Sequence, residues 1–284
     1  MIPDPAVLEA VASRATAFSL FRPLWPWLAQ LHAQPGPWGS VAALQALAVG
    51  AGLHTASGQP LRFVPPQADG LGYEARIAGR GEVETRPENW HDFFNALVWL
   101  AFPQAKAALS GRHAHILAAA EACGTVAGRG AGRDAMTHFD ECGVVIASSR
   151  TDLFDLLRGF RWKELFWERR QEVLQELDVF IFGHATYEQL LAPFRGLTAK
   201  AVLYEVPPDW QERPYGERVA AIDERLAADL QAGRYLAPRD LQPLPLLGIP
   251  GLVPENDDPA YYDDTWQFRP GRREKVRAEP AGCV

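Results

Sequence analysis

The sequence predicts an α+β fold in which a mixed sheet with hairpins is flanked by helices and followed by a C-terminal proline-rich extended strap. Three observations carry this. Segments with helical spacing of apolar residues alternate with short strand-like runs, in the order helices, hairpin, helix, hairpin, then helix, strand, helix, strand. The chain is globular in composition: of 284 residues, 48% are hydrophobic and 22% charged, which excludes bulk disorder. The 23 prolines are uneven, twelve in residues 1–206 and eleven in residues 207–284, so the last quarter is built differently. At about 150 residues per domain the length fits one large domain or two small ones.

Asp4 before Pro5 reads as an N-cap with a first-turn proline, opening a helix toward Ser19 that Pro23 and Pro26 interrupt. Ser40 to Leu53 reads as a small-residue helix closed by Gly50 or Gly52, and Leu61 to Val64 as a strand ended by two prolines. Tyr73 to Ile77 and Glu82 to Arg86 alternate around AGRG and predict a hairpin. A helix from Glu88 to Leu109 carries a broad apolar face, with Pro103 as a kink or break. Gly124 to Gly132 reads as a loop. Ala135 to Phe139 and Val144 to Ser148, on either side of Asp140-Glu141-Cys142-Gly143, predict a second hairpin.

Further on, Thr151 to Arg158 and Trp162 to Leu177 are helical. Val179 to Phe182 is a buried strand that Gly183 turns into a helix to about Leu191. Lys200 to Val206 is another strand, and Glu217 to Gln231 a helix stopped at Gly233. From Leu236 the chain is too rich in proline for a central strand or a helix, and the strap is expected to wrap the surface.

A net charge of -7 argues against a general phosphate-backbone binder, so a nucleic-acid partner is not expected. Three cysteines without CxxC spacing suit a reduced cytosol, and the N-terminus lacks the basic and apolar regions of a secretory signal. With no run of 18 apolar residues, no membrane partner is expected and the location predicted is cytoplasmic.

Two segments concentrate chemistry. In Asn89-Trp90-His91-Asp92-Phe93-Phe94-Asn95, His91 and Asn95 share a helix face, with Asp92 three residues before Asn95. An imidazole, a carboxylate and an amide there can bind a metal or run acid–base chemistry; a capping Asn89 or Asp92 with a half-buried histidine explains them equally well. In Phe182-Gly183-His184-Ala185-Thr186-Tyr187-Glu188, His184 opens a helix after a strand and Glu188 lies one turn later, as metal ligands or as a base with its orienting carboxylate. Asp134, Asp140 and Glu141 form a third cluster, which a hairpin turn and an Arg133 ion pair already explain; should two of these carboxylates converge with His91 and His184, they would make a metal site of mixed N/O ligands. His113 and His115 read as exposed. Gly130 to Ala135 matches GxGxxA without the strand that a dinucleotide site needs, and no P-loop, GxSxG, HExxH or kinase motif is present.

Five separated motifs, ENWHDFFNALVWLAFPQAKAAL, RDAMTHFDECGVVIAS, RWKELFWERR, FGHATYEQLLAP with GLTAKAVLYEV, and LPLLGIPGLVPENDDPAYYDDTWQFRPGRR, resemble a bacterial family classed as a domain of unknown function, number three-zero-two-five. The resemblance spans about residues 20–273. It implies a single domain over 1–273, the proline-rich end included, and leaves 274–284 as a disordered tail. The family pattern carries Trp90, His91, Asp92, Asn95 and the pair Gly183-His184; Leu252 stands where an aromatic is expected. The strap then supplies packing and a cover for the site.

The leading expectation is a metal-dependent enzyme of hydrolase type acting on a small-molecule substrate. His91, Asp92 and His184 would be catalytic, His91, His184, Glu188 and Asp140 would hold a divalent metal, and Trp90, Asn95 and Arg133 would bind substrate. A ββα nuclease, from the first hairpin and the Glu88 helix, is disfavoured by the missing strand histidine and by the net charge. The alternative is a binding module in which Trp90, Trp99, Trp162 and Trp167 line a pocket and the histidines are structural. The His91–His184 separation discriminates: below about 7 Å, with a carboxylate between, one ion can reach both.

Overall fold

The computed structural model describes residue 6 and residues 20–34, 39–122, 131–235 and 237–271, without the side chains of residues 120–122, 131–134 and 238. The helix expected toward Ser19, most of the Gly124 to Gly132 loop and the tail from 274 lie outside the described residues. In chain order the elements are α1 (Trp25–Ala33), α2 (Val41–Gly50), β1 (Arg62–Val64), α3 (Tyr73–Arg80), β2 (Glu82–Glu84), α4 (Trp90–Ala101), α5 (Pro103–Ala122), α6 (Ala131–Cys142), β3 (Gly143–Ser148), α7 (Thr151–Arg158), α8 (Arg170–Glu176), β4 (Asp178–Ile181), α9 (His184–Leu191), β5 (Thr198–Glu205), α10 (Tyr215–Gln231) and β6 (Gln242–Pro245). Among the described residues no helix is long and apolar enough to cross a membrane.

The strands form a two-stranded parallel sheet, β1-β2, and a four-stranded mixed sheet in the order β4-β3-β5-β6. Strand β3 pairs in parallel with β5 and antiparallel with β4, and β6 closes the other edge antiparallel to β5. All six residues of β3 are buried. Because successive side chains point to opposite faces, both faces of the sheet are covered there. The chain is thus α+β and one domain, as its sequence predicts.

Neither predicted hairpin forms. Tyr73–Arg80 is a helix with Arg76 and Ile77 buried, and Gly81 ends it at φ 68, a left-handed C-cap. That helix is the crossover that parallel strands β1 and β2 require, so a two-residue turn was never available between them. In the second case α6 runs through Asp140 and Glu141 to Cys142, and β3 starts at the next residue. Ala135, Met136 and Phe139 are buried at helical spacing, which overrides the turn preference of the acidic residues that follow. With the first hairpin gone, the ββα order behind the nuclease reading is gone too.

The strap also departs from expectation. Only β6 is extended, as an edge strand where Pro243 and Pro245 are tolerated. The rest winds into 3-10 turns at Leu246–Gly248, Pro254–Asp257 and Pro259–Asp263, the last two opening on proline, whose fixed φ suits a first helical position. It contributes Leu244, Leu246, Leu247, Ile249, Leu252, Tyr262 and Phe268 to the core.

Two junctions position the site. The start of β3 faces the end of β4, Val144 opposite Ile181, so the last turn of α6 and the first turn of α9 meet. Gly183 makes that crossing fit: a Cβ there would stand 2.4 Å from Gly143 N and 2.5 Å from Glu141 O. Its φ of -67 suits any residue, so the requirement is steric alone. Gly183→Ala is expected to cost about 1–3 kcal/mol, the range of an overpacked core, in a urea titration. A loss below about 0.5 kcal/mol would show that the crossing yields.

The second junction is between α4 and α5, which part at Phe102 with Pro103 as the first residue of α5. Asp223 of α10 caps α5 from outside, its Oδ1 accepting from Ala105 N at 2.8 Å and its Oδ2 from Gln104 N at 3.1 Å. Burial outweighs these bonds and pushes the Asp223 carboxyl up to about 6. An acid whose folded pKa is raised stabilises the fold below its unfolded value near 4, and that contribution is lost as pH rises through about 6. Asp223→Asn should therefore gain on wild type between pH 4 and pH 8, by up to about 3 kcal/mol in chemical denaturation. A difference independent of pH would overturn this assignment.

Candidate metal centre

His91 sits in the first turn of α4, which Asn89 caps by accepting from Asp92 N at 3.0 Å. His184 is the first residue of α9 and is buried. Helices α4 and α9 pack against each other through Phe94 and Tyr187, whose rings stack at 5.6 Å. The result brings the two histidines together: His91 Nε2 and His184 Nε2 are 2.9 Å apart, with the rings edge to face.

Glu141, from the last turn of α6, completes the group, with Oε1 4.0 Å from His91 Nε2 and Oε2 3.9 Å from His184 Nε2. One ligand atom from each of His91, Glu141 and His184 lies within 4.8 Å of the others. With metal–nitrogen bonds of about 2.0–2.1 Å, two cis imidazole nitrogens stand about 2.9–3.3 Å apart, so the histidine pair already has the spacing of two ligands to one ion. Each ring turns its other nitrogen to a carboxylate: His91 Nδ1 is 3.3 Å from Glu188 Oε2, and His184 Nδ1 is 3.8 Å from Asp140 Oδ2. Outer-shell carboxylates of this kind fix the ring that binds the metal.

The electrostatics suit a cation. Burial pushes the His184 imidazole down to about 3 against the pull of Asp140, which keeps it neutral, the form a metal ligand must take. Burial also raises the Glu141 carboxyl, with Asp140 and Glu188 adding to the effect and His91 opposing it. Asp140 is half-buried, yet its carboxyl is held below the usual range because Lys106 donates to it at 2.6 Å.

The group opens into a cleft of about 510 Å³ lined by Tyr73, Arg86, Asp92, Asn95, His113 and Thr137 among others. Of the residues the sequence offered, the structure brings His91, His184, Asp92, Asn95 and Asp140 to the lining of this cleft, with Glu188 beside His91. Asp92 faces away from the histidines in its bonding: its carboxylate takes Arg86 N, Nε and Nη2 at 2.7–2.9 Å. Trp90 is not a cleft residue; it is buried against Phe93 and Phe94 in the core. The Arg133 side chain lies outside the described residues. Glu141, which the sequence offered only within the acidic cluster and a turn, here joins the two histidines; Lys106 and Arg86 were not singled out as site residues, and His113 is buried where exposure was expected. Had Ala131–Cys142 been read as a helix, Thr137, Asp140 and Glu141 would have fallen on one face. Among the described residues, none of the strap lines this cleft.

The family described as "Protein of unknown function (DUF3025)" matches residues 61–272, well over half of the chain. The chain belongs to the DUF3025 family. The matched span contains both histidines, Glu141, Glu188 and Lys106, so the whole cluster lies inside the DUF3025 domain. Neither the curated proteins nor the solved structures compared with the chain yield a match.

Proposed function

We propose that this DUF3025 protein is a metal-dependent hydrolase of a small-molecule substrate, with a divalent ion held by His91, His184 and Glu141. The observation that carries the reading is the 2.9 Å approach of two imidazole Nε2 atoms, each ring backed by a carboxylate at Nδ1. Bound there, the ion would lower the pKa of a coordinated water and make it a nucleophile near neutral pH. Asp140 and Glu188 belong to the outer shell. Arg86, exposed on the cleft wall and braced by Asp92, is the cation available to a substrate oxygen, and Asn95 shapes the floor through its bond to Tyr73 Oη at 2.8 Å.

A cleft of about 510 Å³ suits a small ligand, within the common range of about 300–1,000 Å³. A second cleft, at about 840 Å³, is larger, but its Arg195 is paired with Asp264 and its Asp257 with Arg170, so it gathers no comparable group. The tryptophan-lined binding pocket finds no support: Trp90, Trp99 and Trp162 are buried in the core, Trp167 packs half-buried against it, and no described tryptophan lines either cleft.

The test is elemental analysis and calorimetric titration with Zn²⁺ and Mn²⁺, followed by assay of ester, amide and phosphoester panels with and without chelator. Expected are one ion per chain and a chelator-sensitive hydrolysis. Glu141→Gln should lose the ion together with turnover; an intact chain that binds no divalent ion sinks the reading.

A further inference from the structure

Behind the cleft lies a buried cation. Lys106 of α5 has a side chain only 4% exposed, and its Nζ donates to Asn95 Oδ1 of α4 at 2.9 Å and to Asp140 Oδ1 of α6 at 2.6 Å. Asp140 turns its other oxygen, Oδ2, toward His184 Nδ1 of α9 at 3.8 Å. That nitrogen is buried and lies on Asp140, with the backbone of Asp140 as well as its carboxylate beside it. The corresponding carboxylate behind His91, Glu188, is 44% exposed. The two histidines are therefore held unequally.

We infer that Lys106 is a positioning residue of the metal centre: it pins the Asp140 carboxylate behind His184, making His184 the fixed ligand and His91, backed by exposed Glu188, the adjustable one. This rests on the metal reading above. The Asp140 side chain is 20% exposed at the cleft edge, and without the ammonium its half-buried carboxylate gains solvation by turning further out toward the cleft. His184 then loses the group that sets its ring orientation and tautomer. Lys106 also reaches Asn95, so one ammonium on α5 ties α4 to α6, two of the three helices that carry the candidate ligands.

The test uses the full chain and Co²⁺, with affinity from calorimetry, site geometry from the visible d–d spectrum, and folding from circular dichroism and urea midpoints. Lys106→Met and Asp140→Asn should each weaken Co²⁺ binding about 10–100-fold, the usual cost of an outer-shell partner, and change the spectrum in the same way. The double variant should lose no more than the worse single variant, because both act through one contact. Glu188→Gln should lose less than Asp140→Asn. Wild-type protein that binds no Co²⁺ would overturn the metal reading itself. Wild type that binds while Lys106→Met keeps its affinity and spectrum overturns the positioning role, as do additive losses in the double variant. Should Lys106→Met fail to fold, the comparison of Asp140→Asn with Glu188→Gln still decides: equal losses refute the unequal roles.

Discussion

Replacing His184 by alanine is expected to abolish divalent-ion binding, and replacing His91 to do the same at a smaller cost to the fold. Each change removes one of three ligands, so the affinity lost should exceed the about 10–100-fold that follows loss of an outer-shell partner. The clearest readout is thermodynamic linkage: at a free ion concentration of about 100 times Kd, an intact site stabilises the fold by about 2.7 kcal/mol. Wild type should show that gain in a urea titration with Zn²⁺ and both variants should show none. The two histidines differ in burial, 5% against 32% side-chain exposure, so His184→Ala leaves a cavity where His91→Ala leaves a hydrated gap. The metal-free His184 variant should thus be the less stable of the two. An alanine variant that keeps the ion-dependent gain would remove that histidine from the ligand set.

The second large effect is expected in the strap. Asn256 is fully buried, and its side chain donates to Leu247 O at 3.1 Å and Ile249 O at 2.7 Å while accepting from Gly251 N at 2.9 Å. Its own carbonyl accepts from Tyr262 Oη at 3.2 Å and Arg170 Nη1 at 2.9 Å. One amide therefore holds the turn that folds the proline-rich segment onto the core. Asn256→Ala strands two buried carbonyls at about 1–3 kcal/mol each, for an expected loss of about 3–5 kcal/mol. Asn256→Asp should be at least as unstable, since a carboxylate would face those two carbonyl oxygens with no hydrogen to offer. A midpoint shift worth less than about 1 kcal/mol for the alanine variant would mean that the turn is held elsewhere.

How much of this was legible depends on whether local and tertiary preferences agreed. The β4-Gly183-α9 unit was readable because a short apolar run, a glycine and a helix-opening histidine all point the same way. His91 was readable because Asn89 marks the start of its helix. Glu141 stood in the acidic cluster but was assigned to a turn, since Asp-Glu-Cys-Gly is a good turn by composition, and only the burial of Ala135, Met136 and Phe139 carries the helix straight into β3. Lys106 was hidden for a different reason: a lysine in an alanine-rich helix reads as solvent-facing, and its burial follows from a partner, Asp140, 34 residues away. The wound strap was missed because proline excludes regular strands and helices but permits 3-10 turns that begin on it.

The pairing of Val144 with Ile181 gives the cluster a dependence of another kind. Glu141 and His184 each sit only three residues from that rung, on the helices α6 and α9 that adjoin the two paired strands. A slip of one residue would swap the faces of β4 and carry the histidine away from the carboxylate. Occupancy of the cluster by a cation would thus report strand alignment, and the ion would favour the native pairing over its shifted competitors while the sheet is being assembled.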